Sequence, residues 1–100
     1  MKPVTLHDGA EADLREALAH YDEQRFGLGG ELLREFEVAL GRVNENPQAY
    51  AIEDDEGTRF CPLHRFPYTV VYVELDVKIW VAAVAHHRRR PRYWAGRQVN

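Results

Sequence analysis

Tyr68-Thr69-Val70-Val71-Tyr72-Val73-Glu74-Leu75-Asp76-Val77-Lys78-Ile79-Trp80-Val81-Ala82-Ala83-Val84-Ala85-His86 is the stretch on which the fold turns. Two runs rich in Val, Ile, Tyr and Trp flank Asp76, the composition of paired strands rather than of a helix. A tight connection at Asp76 predicts a hairpin of strands 68–75 and 77–86, although it lacks the Asn-Gly signal. In the second run, strict alternation would turn Ile79, Val81, Ala83 and Ala85 to one face. Trp80, Ala82, Val84 and His86 would take the other. Upstream, 58–66 reads as a third strand, and Pro62 and Pro67 confine it to an edge or a bulge.

Toward the N-terminus the period changes. Pro3 to His7 alternates and reads as a short first strand. Asp8 and Glu11 have the spacing of a capping box. Ala10, Leu14, Ala17, Leu18 and Tyr21 then recur at helical spacing, with Glu11, Asp13, Arg15, Glu16 and Glu23 turned away. A second helix is predicted from Glu31 to Asn44 on Leu32, Leu33, Phe36, Ala39, Leu40 and Val43. Asn46-Pro47 stops it, because the residue before proline avoids the α region. Gly27-Leu28-Gly29-Gly30 joins the two as an antiparallel hairpin. Residues 51–57 form a charged, mobile connection. The expected architecture is α+β: an N-terminal strand, an antiparallel helical hairpin, then a three-stranded antiparallel meander, in one sheet with the hairpin on one face. Leu14, Leu18, Leu33, Phe36, Leu40, Val71, Val73, Ile79 and Val81 are its expected core, and Tyr21 and Phe26 are read as core aromatics.

The 100 residues suit a single domain, 1–100, burying about 65% of the surface of its unfolded chain. With 45% hydrophobic and 29% charged residues the chain is neither disordered nor collagenous. It has no apolar run of membrane-spanning length and no apolar segment ahead of its first acid, so cytoplasm is the expected compartment. The chain has no serine, which excludes a Ser-His-Asp mechanism, and its one cysteine, Cys61, excludes zinc ribbons and CxxC redox sites. Cys61 reads as a small buried hydrophobe. The glycine-rich 27–30 segment lacks a P-loop lysine and follows a helix, so it cradles no phosphate. No cofactor or metal is expected.

Charge is divided. Residues 1–56 hold 14 acids against five bases, whereas 57–100 hold only Glu74 and Asp76 against eight bases. An acidic helical body thus carries a basic surface suited to a polyanion or an acidic protein. The basic surface is concentrated at the end: Arg88, Arg89, Arg90, Arg92 and Arg97 share ten residues with Tyr93 and Trp94. Guanidinium forks bind phosphate or carboxylate, and the aromatics stack bases or anchor a protein interface. The alternative is a solvated tail whose Trp94 packs back on the sheet. Arg65 has two readings: reaching across the sheet toward His86, or pairing with the acidic loop 53–56. His86 and His87 point to opposite faces and cannot share a metal. One of them suits general acid–base work, and both also suit a polar strand end.

The order strand, acidic hairpin, then Arg59…Arg65-Phe66-Pro67-Tyr68…Tyr72…Val81…Ala85-His86…Arg89…Pro91…Tyr93-Trp94…Arg97 resembles the RelE/ParE family of type II toxin–antitoxin toxins. The resemblance implies a small cytoplasmic bacterial toxin held inactive, in a hetero-oligomer, by a cognate antitoxin. Its RelE-like members are ribosome-dependent mRNA endoribonucleases, for which Arg65, His86 and Tyr93 would be the catalytic set here. Its ParE-like members poison DNA gyrase, and for them Arg65, Arg88, Arg89, Arg90, Arg92, Tyr93, Trp94 and Arg97 would bind the target. The chain's only lysines are Lys2 and Lys78, neither on the strand that supplies the nucleases' lysines, and its ending resembles the ParE-like branch. A nonenzymatic nucleic-acid-binding module is the reading from a different class.

Overall fold

A computed structural model describes residues 2–99; Met1 and Asn100, the ends of the expected 1–100 domain, lie outside the described residues. The elements run β1 (Val4–Leu6), α1 (Asp8–Gln24), α2 (Leu28–Glu45), β2 (Thr58–Pro62), β3 (Tyr68–Glu74) and β4 (Ile79–His86). They form the expected α+β arrangement: one sheet in the order β1-β4-β3-β2, with β1 parallel to β4 and the other pairs antiparallel. Leu75 N–H donates to Lys78 C=O at 2.8 Å, closing the turn around Asp76. β2 lies at the edge and ends at Pro62, where a missing N–H costs no ladder bond. β4 is central, which explains its unbroken apolar run from Ile79 to Ala85.

The strict alternation expected along β4 fails at a β-bulge. Val71 pairs with Ala83 and Tyr72 with Val81, so Ala82 is an extra residue. Ile79, Val81 and Val84 therefore share the helix side, while Trp80, Ala82, Ala83 and Ala85 share the other face. In β3, Val70 and Tyr72 face the helices and Val71 and Val73 face away, contrary to the expected core. Both faces of these strands are apolar, so composition did not fix which one the helices cover.

The helices correct the expected core in the same sense. Ala10, Ala17, Leu32, Phe36, Ala39 and Val43 are buried, whereas Leu14, Leu18, Leu33 and Leu40 are only partly buried at its margin. At the helix crossing, a Cβ on Gly29 would lie 2.6 Å from the Leu18 carbonyl oxygen, so only glycine fits. Gly29 N–H donates to Asp22 Oδ1 at 2.9 Å, so α1 supplies an acceptor for the start of α2. α2 begins at Leu28, three residues before the expected Glu31.

Phe26 is not a core residue; it is 97% exposed. α1 stops at Gln24 and the chain reverses through Gly27 at φ 89°, so Phe26 belongs to neither helix and its helical spacing has no meaning. The α1 cap is also one residue earlier than the capping box implied. His7 Nδ1 accepts the Gly9 N–H at 2.8 Å, because Asp8 is already helical. The 51–57 connection is organised around Asp54, whose Oδ1 accepts N–H groups from Glu56 and Thr58 at 2.9 and 3.0 Å. Cys61 is buried, as expected, with Arg42 Nη2 3.7 Å from its sulfur.

Candidate functional site: the basic C-terminal strap

Past His86 the chain makes successive turns, with Arg89 N–H donating to His86 C=O and Arg97 N–H to Trp94 C=O. These carry residues 87–99 back across the sheet face opposite the helices. The strap covers an apolar face, and Tyr93 and Trp94 are the side chains it lays down. Trp94 meets the Phe60 ring edge-on at 5.8 Å. The packed reading of Trp94 therefore describes its position, half-buried against the sheet.

Two clasps hold the strap. Arg92, at φ 60°, bridges to Asp54 at 3.1 Å and Glu56 at 3.6 Å. A left-handed arginine is a strained conformation, and this ion pair sits at that position. Burial alone would raise the Asp54 pKa, but hydrogen bonds from Thr58, Arg92 and Glu56 bring it down to about 2. The second clasp is at the sheet edge where β1 ends. Arg97 Nη1 donates to Asp13 Oδ2 and to the Ala82 carbonyl, both at 2.9 Å. Asp13 Oδ2 also accepts the Val84 N–H at 3.1 Å and the Tyr93 hydroxyl at 2.9 Å. Side chains thus satisfy β4 groups that a longer β1 would have paired.

The sequence reading turned Asp13 toward solvent, yet its side chain is only 8% exposed. The signal was present: Asp13 lies three residues after Ala10 and four before Ala17, on the buried face. Its partners come from 71 to 84 residues away, and periodicity does not report them.

Arg65 does neither of the things expected of it. Its guanidinium pairs with Glu31 at the start of α2, beside Arg25, and stacks over the Phe66 ring at 4.9 Å. The acidic loop is instead paired by Arg92. His86 and His87 do diverge: His86 meets Tyr68 edge-on at 4.9 Å, and His87 Nε2 lies 3.0 Å from Thr69 Oγ1. Burial, then the charges of His87 and Arg88, push the His86 pKa down, and its Nδ1 accepts the Arg88 N–H at 3.0 Å. Burial, and next the Asp13 carboxylate, push the Tyr93 hydroxyl well above its ordinary value. Arg88, Arg89 and Arg90 are exposed, and none forms an ion pair among the described residues; Arg89 stacks on Tyr93 at 3.9 Å. Between strap and sheet lies a groove of about 280 Å³ walled by Phe60, Val71, Ala85 and Trp94. Among the described residues no group of three or more His, Cys, Asp or Glu could hold a metal ion, and no helix is long and apolar enough to cross a membrane.

A helical hairpin on a mixed four-stranded sheet, with a basic strap behind it, is the architecture of a RelE/ParE-type toxin. The family model described as "ParE toxin of type II toxin-antitoxin system, parDE" matches residues 4–91, and the chain belongs to that family. A solved structure described as "Chromosomal ParDE TA system from P. aeruginosa" has the same fold. It matches with a TM-score of 0.74 and 17% identity over 86% of this chain and 96% of that one. No curated protein matches in sequence.

Proposed function

We propose that this ParE-family toxin arrests bacterial growth from the cytoplasm by poisoning DNA gyrase, and that a cognate antitoxin neutralises it by binding in a hetero-oligomer. The observation that carries the choice of target is the Tyr93 hydroxyl. RNA cleavage through a ribose 2′-hydroxyl needs an acid, a base and cations gathered on one phosphate. Tyr93 instead donates into Asp13, and Arg65 is held on Glu31. Of the cleavage set only His86, whose pKa is pushed down by burial and by the charges of His87 and Arg88, is not held by a carboxylate among the described residues. The exposed arginines 88–90, with Arg92 and Trp94 behind them, are then read as the target contact. Arg97 and Tyr93 hold that contact in place from within.

Gyrase supercoiling and mRNA on translating ribosomes, assayed side by side with purified toxin, test this reading. The expected result is inhibited supercoiling with trapped cleaved DNA, intact mRNA, and loss of both gyrase effects on reversing Arg88, Arg89 and Arg90 to Glu. Codon-specific mRNA cleavage abolished by His86→Ala would overturn it. So would steeply salt-dependent binding to naked duplex without growth arrest, the behaviour of a nucleic-acid-binding module.

A further inference from the structure

The turn that leads out of β4 is closed by a titratable side chain. Arg88 N–H donates to His86 Nδ1 at 3.0 Å, two residues back, the spacing at which an Asn or Asp side chain closes a turn. Arg89 N–H donates to the His86 carbonyl at 3.0 Å, and His87 N–H to the Pro67 carbonyl at 2.9 Å. Together these bonds set the direction in which Arg88, Arg89 and Arg90 leave the sheet. An Nδ1 that accepts carries no proton, so the turn selects the neutral His86 tautomer protonated at Nε2. Imidazolium bears N–H at both nitrogens and accepts at neither. One added proton therefore removes this bond and sets two donors against each other.

The ring has a second place to go. His86 also borders a cleft of about 240 Å³ on the helix side of the sheet, shared with Asp13, Glu16 and His20 of α1, Tyr68 of β3 and Arg89 of the strap. His20 and Arg89, with His87 and Arg88 beside the ring, repel a charge on His86. Tyr68 meets it edge-on, and Asp13 is already satisfied by Arg97, Tyr93 and the Val84 N–H. Glu16 differs: it is an exposed carboxylate with no ion pair among the described residues. We infer that His86 is a two-position proton switch. Neutral, its Nδ1 closes the 86–89 turn and fixes the array of Arg88, Arg89 and Arg90; protonated, it releases the Arg88 N–H and turns toward Glu16, and the array loosens. Burial, then the charges of His87, Arg88, His20 and Arg89, hold the His86 pKa below its ordinary 6.5. The closed turn thus prevails at neutral pH and opens only as pH falls below 6.5. This exchange of partners is independent of what the arginines contact.

NMR on the full chain, titrated from about pH 8 to about pH 5 across the range where histidine changes charge, tests the switch. The ring nitrogen shifts of His86 report its tautomer, and amide exchange at Arg88 reports the turn. The expected result at neutral pH is the Nε2–H tautomer with a protected Arg88 amide. On acidification that protection, corrected for intrinsic exchange, should fall about tenfold or more, with the midpoint of the His86 ring. The Leu32 amide, inside α2, should keep its protection throughout. His86→Asn retains an acceptor at the same spacing and does not titrate, so its Arg88 amide should stay protected to the acid end. Glu16→Gln removes the receiving charge and should lower the His86 midpoint by about 0.3 pH units, the scale of an exposed ion pair. Glu16 is exposed, so this variant tests the idea even if His86→Asn does not fold. An Nδ1–H tautomer at neutral pH, or an Arg88 amide that stays protected while His86 titrates, would overturn the inference. So would opening that follows the ring of His20 or His87, or that occurs together with loss of protection at Leu32. Opening of His86→Asn at the same pH, or an unmoved or raised midpoint in Glu16→Gln, would count equally against it.

Discussion

Arg97 and Asp13, 84 residues apart in the chain, meet at 2.9 Å and close the sheet edge that β1 leaves open. The pair joins the first helix to the end of the strap, and the Tyr93 hydroxyl and the Val84 N–H converge on the same carboxylate oxygen. A feature that looked like a loose basic tail is therefore part of the tertiary scaffold at its far end.

Arg97→Ala should be costly. It leaves a nearly buried carboxylate without its cation, a change of about 3 kcal/mol or more where such pairs are broken. Urea denaturation followed by circular dichroism reads the loss. Combining it with Asp13→Ala should cost less than the two single losses added together, since both remove one interaction. A loss for Arg97→Ala below about half a kcal/mol would mean that the clasp does not form in solution.

Gly9→Ala tests the same clasp by a change of sign. Alanine in a helix ordinarily stabilises by about 0.5–1 kcal/mol relative to glycine. Here a Cβ on Gly9 would lie 2.5 Å from Arg97 Cζ and Nε. A free arginine would swing aside, but this one is held by Asp13 and the Ala82 carbonyl, so Gly9→Ala should destabilise the wild-type chain. In an Arg97→Ala background the same substitution should become stabilising. Equal effects in the two backgrounds would contradict the geometry.

The true face of α2 separates two leucines. Leu32 is fully buried and Leu40 sits at the margin. Leu32→Ala should cost about 2–5 kcal/mol, as for leucines removed from a packed core. Leu40→Ala, the substitution that helical spacing alone would have marked as equivalent, should cost clearly less. Parallel denaturation curves decide, and a reversed order would return the helix to its sequence-predicted face.

Acid should loosen the strap at its other clasp. The Asp54 pKa is lowered from the ordinary 3.8 to about 2, so the folded chain favours the ionised form. The stability this contributes is complete above 3.8 and is lost as pH falls from there toward about 2. Asp54→Asn should flatten the pH dependence of stability across that window, and Trp94 fluorescence should report the release of the strap in the wild type. An unchanged slope would show that Asp54 is not protected by Thr58, Glu56 and Arg92.

Much of the architecture was readable in one dimension. The β-rich runs around Asp76, the helix stop at Asn46-Pro47 and the short glycine connection each act within a few residues, where local sterics and hydrogen bonding suffice. The bulge at Ala82 was not readable, because Val-Ala-Ala-Val-Ala presents apolar side chains to both faces and alternation carries no information when both faces are buried. Phe26 misled for the opposite reason: its spacing matched a helix that had already ended.

The candidate site divides along the same line. Sequence by itself determined that a basic, aromatic segment follows the last strand, that an acidic helical hairpin precedes the sheet, and that a serine or multi-cysteine chemistry is absent; these are properties of composition and order. Only the tertiary structure decided which arginines face solvent and which are bound. Arg88, Arg89 and Arg90 stay exposed, Arg92 and Arg97 turn to Asp54 and Asp13, and Arg65 turns to Glu31. The physical reason is that a guanidinium takes its role from the carboxylate that reaches it, and those carboxylates lie 34 to 84 residues away along the chain, brought close only by the closing of the sheet.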